Sequence, residues 1–273
     1  ALAGAVRIKR IMTTETEVNK NLKPMPKIIG RVEFQNVTFG YDPGEIVLHD
    51  ISFTAEPGQT VALVGHTGAG KTSIINLLCR FYDPIEGRIA VDGLNIQEHD
   101  LESYRRQIGL VLQEPFLFSG TLRDNIRFGA PQATDEQIWD ALKTVGLAET
   151  FIKNRITLDT ILTERGANFS TGQRQLLSFA RALISDPRIL ILDEATAHVD
   201  TLTEQKVQQA LAKLLAGRTS FVIAHRLSTI RNADLIIVIS DGRILESGTH
   251  EQLLTLKGEY WQLCNSQNIV QIS

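Results

Sequence analysis

Residues Gly65-His66-Thr67-Gly68-Ala69-Gly70-Lys71-Thr72 fit the pattern G-x-x-x-x-G-K-[ST]. Glycines at this spacing let backbone N–H groups converge on phosphate oxygens without side-chain obstruction. The helix start that follows adds a positive dipole end. Lys71 places a point charge on β/γ phosphates, and Thr72 offers a hydroxyl to Mg²⁺. Ser73 continues the same turn. Farther on, Arg188-Ile189-Leu190-Ile191-Leu192 runs into two acids, Asp193 and Glu194. Asp193 at a strand end suits Mg²⁺ held through water. Glu194 is placed to polarise an attacking water, an effect of ~10²–10⁴-fold for a general base. Together these groups describe phosphoryl transfer to water.

Such groups need rigid supports. Thr60-Val61-Ala62-Leu63-Val64 reads as a buried strand entering the glycine loop, with a helix from about Lys71 to Phe81. Ile189–Leu192, Ser220–Ala224 and Leu235–Ile239 are further continuous apolar runs, as expected of parallel strands covered by helices on both faces. Helices are expected at about 134–145, 171–185 and 201–216. Upstream, Val32, Phe34, Val37–Phe39 and Val47–Phe53 flank the turn Asp42-Pro43-Gly44, which predicts a small antiparallel β layer. Lys23-Pro24-Met25-Pro26 predicts an extended linker. Ala5–Met12 has helical spacing and reads as the tail of a helix. The class is α/β.

Composition narrows the partners. In 273 residues, 28 Lys and Arg stand against 31 Asp and Glu, a formal net charge of −3. That balance argues against a nucleic-acid partner, which needs clustered basic residues. Charged residues at 22% and hydrophobic ones at 43% suit a globular chain. Two cysteines, Cys79 and Cys264, give no disulfide framework and point to a reducing compartment. The apolar runs are far below the roughly 18 residues of a spanning helix. Any relation to a membrane is therefore expected to run through a partner or another part of the gene.

Over roughly residues 31–265 the chain resembles the nucleotide-binding domain of an ABC exporter, on several motifs in the family's order. Tyr41 is similar to the aromatic that stacks on adenine, and Gln113 in Val111–Pro115 to the Q-loop glutamine. Ser170-Thr171-Gly172-Gln173-Arg174-Gln175 is similar to the signature segment. Glu194–Asp200 resembles the base running into the D-loop, and Ala224-His225-Arg226 the H-loop. The resemblance implies a P-loop NTPase (RecA-like) core with a parallel sheet, an N-terminal antiparallel β subdomain and an α-helical subdomain at about 114–182. It implies ATP and Mg²⁺ as ligands, with Thr72, Gln113 and Asp193 toward the metal. Lys71, Gln113, Glu194 and His225 are the implied catalytic group. Tyr41, residues Gly65 to Ser73, Ser170, Gly172, Gln173 and Asp200 are the implied nucleotide contacts. Ser170 is a good N-cap, and the helix start behind it an anion site. In the family that end faces the nucleotide of a second cassette, head to tail.

Three segments resemble the exporter branch: Leu117–Leu122, Thr163–Gly166, and the N-terminal Ala3–Ile11. They imply that residues 1–30 are the end of a membrane-domain helix with its linker. The chain is then a C-terminal domain working at the cytoplasmic membrane face. Thr171 stands where the family's signature carries glycine, and Ala197-His198 departs from the usual D-loop. An altered signature beside an intact Lys71, Asp193, Glu194 and His225 favours a heterodimeric partner over a homodimeric one. DNA- or ribosome-directed cassettes, with their coiled-coil insertions or tandem cassettes, fit less well. An importer subunit is disfavoured by the N-terminal extension and the Thr163–Gly166 loop. A GTPase lacks its N-K-x-D segment here, and a purely binding module is disfavoured by Glu194.

Overall fold

The computed structural model describes residues 2–13, 22–194, 201–224 and 227–270. Helix α1 spans Leu2–Thr13; strands β1 (Val32–Phe39), β2 (Leu48–Ala55) and β3 (Thr60–Val64) follow, then α2 (Lys71–Leu78). Next come β4 (Glu86–Val91), β5 (Leu94–Asn95), α3 (Leu101–Arg105) and β6 (Ile108–Val111). A mainly helical stretch contains β7 (Gly120–Thr121), α4 (Leu122–Arg127), α5 (Asp135–Thr144), α6 (Ala148–Lys153), β8 (Ile161–Leu162) and α7 (Thr171–Ile184). The chain then returns through β9 (Ile189–Glu194), α8 (Thr201–Leu215), β10 (Thr219–Ala224), α9 (Leu227–Arg231), β11 (Leu235–Ser240) and β12 (Arg243–Gly248). It ends in α10 (His250–Leu256) and α11 (Glu259–Val270).

The central sheet has the order β12-β11-β3-β10-β9-β6, parallel except for β12 at its edge. Its inner strands are largely apolar because both of their faces are buried. Val61, Leu63, Ile189, Ile191, Phe221, Ile223, Ile237 and Ile239 join one core, with Ile74 of α2 and Val32, Phe34 and Ile51 of the antiparallel sheet. The alternate residues Ala62, Val64, Leu190, Leu192, Val222, Ala224, Ile236 and Val238 join the other, with Leu177 and Leu211 of α7 and α8. This is the period-two alternation of a strand, with an apolar layer waiting on each side. The antiparallel sheet, β2-β1-β4-β5, covers the first core. The expected β layer is present, with two strands that its local pattern did not announce.

One boundary differs from expectation for a visible reason. Helix α2 stops at Leu78, short of Phe81, with Arg80 in the left-handed region at φ 53°. The carbonyls of Ile75, Asn76 and Leu77 accept from the amides of Cys79, Phe81 and Arg80, and the carbonyls from Leu78 to Arg80 find their donors on α3. Tyr104 Oη donates to Leu78 O (2.7 Å), while Arg105 Nε donates to Cys79 O (3.0 Å) and Nη2 to Arg80 O (2.6 Å). Residues 25–31 are extended, as the prolines predict, yet they are held against the domain. Met25 and Ile28 are buried. The Asp92 carboxylate accepts from the amides of Ile29, Gly30 and Arg31.

Candidate functional site

An open cleft of about 480 Å³ lies at the carboxyl ends of the central strands, the usual ligand position in an open α/β sheet. It is lined by Tyr41, Val47, Thr67, Gly68, Gly70, Lys71, Thr72, Ser73, Gln113, Asp193 and Ile223. Segments far apart in the chain thus meet: the loop between β3 and α2, the end of β9, the segment after β6, and the turn after β1.

The loop is fixed by backbone geometry. Gly65 has φ +149°, and a Cβ there would sit 2.1 Å from the carbonyl oxygen of Ile239. Gly70 precedes α2 with φ +110°. Ala69 is buried, and its carbonyl accepts from Gly242 N (3.1 Å), which pins the loop to the β11–β12 turn. Lys71 is 8% exposed and donates from Nζ to the carbonyls of Gly65 (2.7 Å) and His66 (2.9 Å). Burial lowers its pKa from the ordinary lysine range, and the charge of Asp193 opposes that shift. The ammonium is thus held inside the loop by two neutral acceptors and one nearby carboxylate. His66 turns its imidazole outward, with Nε2 3.4 Å from Glu259 Oε1 at the start of α11.

Tyr41 stands at the cleft's far end, 44% exposed. Its hydroxyl lies 3.0 Å from Ser73 Oγ and accepts from Asn76 Nδ2 at 3.0 Å. Asn76 and Tyr82 beside it carry no local motif that names them, and sequence reasoning missed both.

A nucleotide with Mg²⁺ fits these residues. Gly68 and Gly70 line the cleft without a side chain, and the Lys71 ammonium is held within the same loop. Among the described residues no group of three or more His, Cys, Asp or Glu could hold a metal unaided. Thr72, Gln113 and Asp193 do line one cleft. One carboxylate with neutral oxygens is the sparse donor set Mg²⁺ takes when phosphates complete its shell.

Other expected residues lie elsewhere. Ser170, Gly172 and Gln173 stand at the start of α7 and do not line the cleft. Ser170 Oγ accepts from Gln173 N (3.2 Å), and Gln173 Oε1 accepts from Ser170 N (2.9 Å), forming a capping box. The Thr171 hydroxyl accepts from Arg174 Nη2 (3.2 Å). Glu194 ends β9 next to Asp193, though its side chain is outside what the structure describes; His225 and Asp200 lie outside the described residues. Beyond Gln113, Phe116, Phe118 and Phe128 form an exposed aromatic patch, with Phe116–Phe118 centroids at 5.0 Å and Phe118–Phe128 at 4.7 Å.

Comparison with known proteins agrees with this geometry. The ABC transporter family model matches residues 48–197. The chain is 52% identical over 267 residues to the probable multidrug resistance ABC transporter ATP-binding/permease protein YheH of Bacillus subtilis (strain 168), covering 98% of this chain and 40% of that protein. It is 44% identical over 262 residues to a fatty acid ABC transporter ATP-binding/permease protein of Mycobacterium tuberculosis, covering 96% of this chain and 42% of that one. A solved bacterial Atm1-family ABC exporter with ATP bound superposes with a TM-score of 0.88 at 38% identity, covering 97% of this chain and 47% of that one. The chain thus spans less than half the length of these relatives. It belongs to the ABC transporter family, as a nucleotide-binding ATPase domain of the exporter type.

Proposed function

We propose that this domain binds Mg²⁺–ATP in the cleft between Tyr41 and Asp193 and hydrolyses it to power export across a membrane. The observation that carries this is the convergence of Tyr41, the glycine loop, Lys71, Thr72, Gln113 and Asp193 on one open cavity. Tyr41 stacks the base, a contact worth ~1–3 kcal/mol. The amides from Gly65 to Ser73 and the Lys71 ammonium hold the phosphates. Mg²⁺, held by Thr72, Gln113 and Asp193, would supply neutralisation of phosphate charge. Glu194 polarises the attacking water, and His225 orients it toward the γ-phosphate.

The cleft is one half of a working site. Ser170, Gly172, Gln173 and Asp200 serve the nucleotide of a second cassette, so two domains close head to tail on ATP and separate after hydrolysis. The side chain of Thr171 at the signature favours a different subunit as that partner. Residues 1–30 form the end of a membrane-domain helix with its linker, and 31–273 the cassette, with a helical subdomain at about 114–182. The membrane domain belongs to the same polypeptide, and the cassette works on the cytoplasmic face of the membrane. The exposed Phe116–Phe118–Phe128 patch supports docking of that membrane domain beside Gln113.

The test is the ATPase rate as a function of protein concentration, with Glu194→Gln as control. Loss of hydrolysis with retained ATP binding in Glu194→Gln supports the assigned role; unchanged hydrolysis overturns it. A rate rising with the square of concentration favours pairing with itself. A rate that appears only on mixing with a second cassette favours the heterodimer. Equal hydrolysis at both sites of that pair would sink the asymmetry.

A further inference from the structure

The exposed Tyr41 ring is held at both ends. At its hydroxyl, Asn76 Nδ2 donates to Oη at 3.0 Å, and Ser73 Oγ lies at 3.0 Å. An oxygen that accepts from Asn76 still has its own proton for Ser73. At the ring, Phe39 and Tyr82 pack nearly perpendicular, with centroids at 4.8 Å and 5.0 Å and interplanar angles of 80° and 87°. Phe39 is buried, at 2% exposure, and also meets Tyr82 at 5.6 Å. The ring therefore rests against one buried and one exposed aromatic neighbour.

Ser73 and Asn76 are three residues apart on α2 and so share one helix face. The same helix begins at Lys71, whose ammonium sits at the phosphate end of the cleft. One rigid element thus grips the base platform with its first two turns and the phosphates with its N-terminus. The separation between the two ends is set before any ligand arrives.

We propose that Asn76 and Tyr82 are positioning residues for nucleotide binding: they hold Tyr41 in its stacking orientation and fix its distance from the phosphate loop. Neither touches the phosphates. Their effect is preorganisation, since a loose aromatic side chain must be ordered when a base lands on it. The inference rests on Tyr41 being the base platform.

The experiment measures dissociation constants of the full chain for Mg²⁺–ATP and for Mg²⁺–tripolyphosphate, which has the phosphates but no base. The variants are Tyr41→Ala, Tyr41→Phe, Asn76→Ala, Tyr82→Ala and Tyr82→Phe, with the double variant Tyr41→Phe/Asn76→Ala. Tyr41→Ala is expected to weaken ATP binding by about 5- to 150-fold, the loss of one stacked base. Asn76→Ala, Tyr41→Phe and Tyr82→Ala are each expected to weaken it by about 3- to 10-fold, the ordering of one side chain. Tyr82→Phe should bind like wild type. Tripolyphosphate binding should stay unchanged in all of them. The double variant should be no worse than either single one, because both break the same tether.

If Tyr41→Ala leaves ATP and tripolyphosphate binding in their wild-type ratio, Tyr41 is not the base platform, and the proposal falls with that reading. If Tyr41→Ala weakens ATP while Asn76→Ala and Tyr41→Phe do not, the platform stands and the tether is wrong. Equal weakening of both ligands by Asn76→Ala, or additive losses in the double variant, makes Asn76 a general support of α2 and overturns the proposal.

Discussion

Gly65 and Gly68 lie in one loop, both in backbone regions that side chains rarely adopt, at φ +149° and +85°. An alanine at either position costs about 1–3 kcal/mol for conformation alone. The surroundings differ. At Gly68 a Cβ would meet nothing within 4 Å. At Gly65 it would lie 2.1 Å from Ile239 O and 3.2 Å from Ile239 C. Ile239 belongs to β11, which is paired on both sides and 1% exposed at this residue, so its carbonyl has little room to retreat. The loop must move by roughly an ångström to restore van der Waals contact. That overpacking adds about 1–3 kcal/mol to Gly65→Ala. At about 2–4 °C per kcal/mol for a domain near this size, Gly65→Ala should melt about 2–12 °C below Gly68→Ala. Thermal unfolding without nucleotide is the assay, because it isolates the clash from any effect on a bound phosphate. The reasoning is refuted if the two variants melt together or Gly68→Ala melts lower.

Two further outcomes follow from charge and burial. Burial pushes the Cys79 thiol up to about 12 and raises that of Cys264 as well. At pH 8 only about one Cys79 in 10⁴ is then thiolate, so both thiols should resist iodoacetamide in the native chain and react in urea; rapid native labelling of Cys79 would contradict this. Asp135 is held below the usual carboxylate range, chiefly by its hydrogen bonds from Arg123 at 3.0 Å each, with the charges of Arg123 and Arg127 adding to the effect. A depressed carboxyl stabilises the fold fully above its unfolded pKa of about 3.9 and loses that contribution as pH falls through the folded value. Asp135→Asn should therefore lower the melting temperature at pH 7 more than at about pH 2.5, and an equal loss at both would show that its charge is not involved.

What could be read from the sequence is what is written locally. The runs 60–64, 189–194, 219–224 and 235–240 announce themselves because both faces of each strand are buried, and the start of α7 because Ser170 is a good N-cap. Strand β12 hides because its residues alternate between exposed and half-buried at a sheet edge, and β4 because its first half is exposed. The pair β7–β8 is two residues long and joins segments some forty residues apart, beyond any local period. The site divides the same way. The phosphate loop is contiguous and carries its own pattern. Tyr41 and Gln113 reach the cleft from other elements, and only the family resemblance singled them out. The contacts of Asn76 and Tyr82 with Tyr41 depend on how α2 lies against β1, which no spacing in the chain encodes.

The central claim is that Lys71 grips the phosphates of ATP in this cleft. A binding isotherm for Mg²⁺–ATP with the wild-type chain and with Lys71→Ala, both checked for the same thermal unfolding, tests it most directly. The loss of charge-assisted hydrogen bonds worth about 1.5–3 kcal/mol predicts a dissociation constant about 10- to 150-fold higher in the variant. Equal affinity in the two chains would place the nucleotide somewhere other than this cleft.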